Sequence, residues 1–149
     1  MGAIQRRSSS VSNRIVVIGL QKKTSSRFLS CLKKAAESVA GFHGAQGVEF
    51  EVYVVDDKIL PKNVLAYPWP INFPRPETSK KFLGEIFINP QYIRAEGQNI
   101  LFMLIHGFLH LLGYDHQKKN DTIAMEKEEQ RLLKAFSNQA PASLVKTLA

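Results

Sequence analysis

Apolar and polar positions along the chain divide it into segments with distinct periods. Arg14 to Gly19 holds four consecutive β-branched residues, Ile15 to Ile18, and reads as a strand. Thr24 or Ser25 can cap a helix to about Ala40, because Phe28, Leu29, Leu32, Ala35, Ala36 and Val39 recur at helical spacing. Val48 to Val55 alternates with period two, setting Phe50, Val52 and Val54 on one side and Glu49, Glu51 and Tyr53 on the other. Gly84 to Asn89 is a third strand, ended by Pro90. From about Gln98 to Leu112 the chain is apolar on nearly every helical face, which predicts a buried central helix. A last helix runs to about Phe136, with Asp121 as its cap and Ile123, Met125, Leu132 and Leu133 as core contacts. The segment 41–47 reads as a loop carrying an exposed His43. The segment 67–77 is also a loop, because prolines at 68, 70, 74 and 76 forbid a central strand.

This order predicts an α+β fold: a small mixed β-sheet with packed helices and a central apolar helix at its heart. Residues 14–138 form a single domain. Residues 1–13 are a flexible basic arm, and 139–149 a mobile tail.

Composition sharpens the picture. The 149 residues are 44% hydrophobic, as a globular core requires, and carry 20 Lys and Arg against 13 Asp and Glu, a net charge of +7. No acidic residue precedes Glu37, whereas Arg6, Arg7, Arg14, Lys22, Lys23, Arg27, Lys33 and Lys34 do. Such a concentration suits a polyanion such as RNA, held through salt-sensitive phosphate contacts; a solvated helix face is the alternative. Trp69, Phe73 and Arg75 share the proline-rich loop, where they either stack and pair a nucleotide or pin the loop to the core. Cys31 is the single cysteine, so no intramolecular disulfide forms; it reads as a small buried hydrophobe in a reducing compartment. No apolar run reaches the length of a membrane span. The acid-free, Arg- and Ser-containing start faintly resembles a transit peptide, so the expected cytoplasmic location has an organelle matrix as its alternative.

The chemistry is concentrated in His106-Gly107-Phe108-Leu109-His110-Leu111-Leu112-Gly113-Tyr114-Asp115-His116. His106 and His110 are four apart and share a helix face. Gly113 stands where a helix can end in a left-handed turn, which returns His116 toward the other two rings. Three nitrogen ligands leave one tetrahedral position open, the arrangement of a catalytic zinc site. The helical zinc proteases carry a glutamate directly after the first histidine; Gly107 occupies that position here, which argues against a peptidase. Gly107 also costs about 1 kcal/mol relative to alanine inside a helix, which suggests a close backbone approach there. Asp115 is the nearest carboxylate, and it can orient a ligand, act on a bound water or cap the turn.

The run HGFLHLLGYDH closely resembles the signature of the YbeY family of zinc-dependent, ribosome-associated RNA-maturation factors. Val64-Leu65-Ala66-Tyr67-Pro68 is similar to that family's T-D-V-L-S-F-P stretch. Leu83 to Ile88 resembles its L-G-D-I-x-I strand, and Met125-Glu126-Lys127-Glu128-Glu129 the acidic start of its last helix. The resemblance spans roughly residues 14 to 136. It implies one zinc ion on His106, His110 and His116, and a single-strand-specific endoribonuclease in rRNA maturation and ribosome quality control. Ribosomal RNA and the ribosomal subunit are then its partners. Two features depart from the pattern. The family's helical stretch with an asparagine and a functionally important arginine has no counterpart, since Val55-Asp56-Asp57 leads almost at once into Lys58 to Asn63. Lys62, Asn63 and Ala66 replace the family's threonine, aspartate and serine. These departures favour the alternative, a non-catalytic ribosome-assembly factor with a structural or vestigial zinc site. Nickel or copper would also suit the three nitrogens.

Overall fold

The computed structural model describes residues 12–21, 23–70 and 80–149. Most of the expected basic arm, together with Lys22, Phe73 and Arg75, lies outside them. The elements in chain order are β1 (Arg14–Gly19), α1 (Ser26–His43), β2 (Val48–Val54), β3 (Val64–Pro68), β4 (Lys81–Ile88), α2 (Pro90–Ala95), α3 (Ile100–Leu111), α4 (Lys119–Gln139) and α5 (Ala142–Thr147). The sheet order is β1-β2-β4-β3. The first three of these strands run parallel and β3 is antiparallel to β4, so the sheet is mixed, as the sequence predicts.

Strand alternation decides which face carries the core. Val52 pairs with Val17 on one side and Ile86 on the other, and Ala66 continues the row across β3. Phe50, Val54 and Ile88 are buried with it against Leu32, Ala35 and Val39 of α1 and Leu104, Ile105 and Phe108 of α3. On the opposite face Tyr53 and Phe87 stack at 5.1 Å between centroids, and Tyr67 meets Phe87 edge-on. The register slips between Glu49 and Phe50, leaving an extra residue at Leu83. Gly84 follows it at φ +138°, and a Cβ there would lie 2.1 Å from the Tyr67 carbonyl oxygen, so only glycine fits.

Ser25 caps α1, its Oγ accepting from the Phe28 N–H at 3.0 Å. The helix continues past Ala40 to His43 and stops at Gly44, which takes the left-handed conformation. Asn99 caps α3, with Oδ1 accepting from the Phe102 N–H at 2.8 Å. Gly107 is the close approach its position suggests: a Cβ there would meet Ile86 Cγ2 at 3.0 Å and Val64 Cγ2 at 3.4 Å. The site helix thereby lies directly on β3 and β4.

Several expectations require correction. Asp121 does not cap α4; the helix begins at Lys119, and Asp121 sits in its first turn, where the helix dipole favours an acid. Ile123 is exposed rather than a core contact. Val64 to Pro68 is a strand, tolerated because it lies at the sheet edge with Pro68 at its end. Pro90 ends β4 and also opens α2, where a missing N–H costs nothing. The segment expected as a mobile tail forms α5, with Leu148 fully buried. The Leu148 carbonyl accepts from the Leu101 N–H at 3.1 Å, satisfying a donor that the first turn of α3 leaves open. Among the described residues no helix is long and apolar enough to cross a membrane.

Candidate metal centre

The rigid part of the site is the last turn and a half of α3. His106 and His110 project from one face, and their Nε2 atoms are 3.2 Å apart. Zinc–imidazole bonds of about 2.0–2.1 Å in tetrahedral geometry place two ligand nitrogens about 3.3 Å apart, so this pair already has the required spacing. The helix then closes. Gly113 N–H donates to the His110 carbonyl and Tyr114 N–H to that of Leu109, with Gly113 at φ +98°. The reversal returns His116, whose ring centroid lies 4.9 Å from that of His110 and 5.4 Å from that of His106. One ligand nitrogen from each ring falls within 4.8 Å of the other two. His116 is the most exposed of the three. Among the described residues this is the one cluster suited to a metal ion, and it comprises the three histidines that the spacing selects.

Glu129 of α4 is buried and its Oε2 lies 2.5 Å from His106 Nδ1. An ionised carboxylate only accepts, so Nδ1 donates to it and Nε2 is the nitrogen that faces the cluster. This is how an outer carboxylate fixes the tautomer and direction of a ligating imidazole. In the sequence Glu129 stands only as part of the acidic start of the last helix, although a signal for a further role is present. Met125, Glu129, Leu132 and Phe136 share one helical stripe, and all four are buried. An acid in the buried stripe of an otherwise amphipathic helix demands a partner, and His106 is that partner.

Asp115 braces the turn. Its Oδ1 accepts from the His116 backbone N–H at 2.7 Å and lies 3.9 Å from His116 Nδ1. The fourth histidine is not exposed as expected. His43 ends α1 half-buried, bonded through Nδ1 to Glu128 at 2.6 Å and edge-on to Phe108. Arg131 donates to the same carboxylate and holds Glu128 below the usual carboxylate range. This trio ties α1 to α4 and contributes no ligand to the cluster.

Burial, then the neighbouring charges of His106 and His116, lower the pKa of His110. Protonation of that ring is thereby disfavoured relative to an ordinary histidine. The unfolded chain takes up this proton near pH 6.5 and the folded chain only below it, so unfolding gains as the pH falls through that value. Metal-free protein should accordingly lose thermal stability between pH 7.5 and 5.5, and lose less of it when His110 is replaced by alanine. Equal losses in the two proteins would contradict the assignment.

The imidazoles open onto a cleft of about 450 Å³ between β3 and α3. Val64, Leu65 and Ala66 form one wall; Phe102, Met103 and Gly107 form the other. No Asp or Glu lines it among the described residues. Trp69 packs edge-on against Phe82 at 5.3 Å, as a loop pinned to the sheet would place it.

Comparison with known proteins bears on the same segment. The family model described as Endoribonuclease YbeY matches residues 18–137. A Neorickettsia sennetsu protein named Endoribonuclease YbeY is 31% identical over 109 residues, covering 60% of this chain and 73% of the relative. A Rhodopseudomonas palustris protein of that name is 30% identical over 125 residues, or 70% of this chain and 65% of the relative. A Wolbachia protein, also so named, is 38% identical over 81 residues, 49% of this chain and 51% of the relative. The chain thus spans between half and three quarters of these relatives. The family match begins within β1, ends in the last turn of α4 and contains all three clustered histidines and Glu129, and on that extent the chain belongs to the YbeY family.

Proposed function

We propose that this protein is a zinc-dependent endoribonuclease that cuts single-stranded RNA during rRNA maturation and ribosome quality control. The observation that carries the reading is the placement of His106, His110 and His116 on the wall of a cleft open to solvent. Zinc bound there would supply an acidified water and a Lewis acid for a phosphate oxygen. The chain's own groups do the rest. Glu129 bonds to Nδ1 of His106, burial lowers the pKa of His110, and the turn at Gly113 returns the third ring. The apolar walls at Val64 and Phe102 suit ribose and base surfaces, and the net charge of +7 favours a polyanion. The ribosomal subunit as partner, and a cytoplasmic or organelle-matrix setting, belong to the same proposal.

A second reading, a ribosome-assembly factor without catalysis, draws support from the lack of a carboxylate lining the cleft among the described residues. End-labelled single-stranded RNA and the matching duplex separate the two. Zinc-loaded protein should cleave the single strand, leave the duplex intact and stop on addition of a chelator. RNA binding without cleavage at any zinc level favours the assembly factor.

A further inference from the structure

The cleft has a direction. Asn63 at the start of β3 bonds to Gln98 and Met103, Gly107 lies against Val64, and Gly84 beside Pro68 lies against Leu111. Strand β3 and helix α3 therefore run along the cleft together. The imidazoles stand toward the C-terminal end of α3, and the residues preceding β3 stand by its first turns. Met103 to His110 is seven residues, or about 10 Å along the axis. A nucleic-acid strand bears a charge at every nucleotide, so one lying along this cleft brings phosphates to both ends.

Lys62 sits at the far end. Apart from the histidines, it is the one basic side chain lining the cleft among the described residues, and it is exposed. Its backbone is held firmly. Asn89, fully buried, donates through its side chain to Asp57 Oδ1 and the Leu60 carbonyl, and through its backbone N–H to the Asn63 carbonyl. Asn63 Oδ1 in turn accepts from the Val64 N–H at 2.7 Å. The chain on both sides of Lys62 is thereby bound to the core. A compact ammonium on a flexible stem at a fixed point suits a phosphate oxygen as a point charge.

We propose that Lys62 is a positioning residue that holds a phosphate of the RNA strand flanking the one at the three histidines. The assignment rests on the nuclease reading above and adds where the strand lies. Lys62 acts on ground-state binding, so its loss should raise KM several-fold and change kcat little.

The test uses zinc-loaded full-length wild type, Lys62→Met, Lys62→Arg and, as a charge control on α5, Lys146→Met. Anisotropy of a fluorescent single-stranded RNA oligonucleotide is read across a salt series beside its cleavage kinetics, and zinc content is measured for each protein. Lys62→Met should keep its zinc and show a salt slope of log K shallower by about 0.7, the value for one phosphate on a single strand. Lys62→Arg should restore the slope and KM, and Lys146→Met should match wild type. Lys62→Met indistinguishable from a wild type that binds and cleaves would overturn the assignment alone. A wild type that binds with the Lys62-dependent slope yet cuts nothing upholds Lys62 and removes the nuclease. A wild type that neither binds nor cuts the oligonucleotide overturns both.

Discussion

Replacing His110 by alanine should weaken zinc binding more than a hundredfold and take RNA cleavage down with it. The free energy of a four-ligand zinc site, about 10–16 kcal/mol, amounts to roughly 3 kcal/mol for each ligand when shared equally. That is a factor of more than a hundred in affinity. His110 is the ring to remove because it lies nearest both others: its Nε2 is 3.2 Å from that of His106, and its centroid is the closer of the two to His116. Without it, two nitrogens remain and the preformed edge is gone. The fold should survive, since alanine is the better helix former and His110 is only half-buried. The measurement is a competitive chelator titration beside the RNA assay, with the melting temperature of the metal-free protein as the check on folding. An affinity within threefold of wild type would show that His110 is no ligand.

Glu129→Leu should lower zinc affinity by about 10–100-fold, the usual consequence of losing the partner of a ligating imidazole. The carboxylate touches His106 and lies behind the cleft wall, so it acts through the ring. Leucine removes the acceptor and leaves the Nδ1–H without its partner, free to shift to the other tautomer and present a protonated nitrogen to the metal. Glutamine retains an acceptor oxygen without the charge, so Glu129→Gln should fall between leucine and wild type. The same chelator titration gives this ranking. Equal affinities for all three proteins would reduce Glu129 to a buried acid with a purely structural role.

The two cases also show what the sequence reveals and what it conceals. The three clustered histidines lie within one helix and its closing turn, where spacing along the chain becomes spacing in space. For that reason His106, His110, Gly113 and His116 could be read directly. The core strands were visible for a similar reason, since Phe50, Val52 and Val54 alternate on a half-buried pleat. Glu129 comes from a different helix and meets His106 across 23 positions, so its role depends on how α4 packs on α3. His43 was misjudged for the same reason, because its partner Glu128 is 85 residues away. The elements missed outright, β3, α2 and α5, are five or six residues long. Their periodicity is too brief to register, and what holds them is tertiary: the edge of β4, the cap from Asn89, and the burial of Leu144 and Leu148.

The most direct test of the account is the zinc stoichiometry of metal-free protein titrated with zinc, read against a variant in which His106, His110 and His116 are all alanine. Wild type should bind one ion per chain and the variant none, with both remaining folded. Wild type that holds no zinc, or a variant that holds as much as wild type, would contradict it.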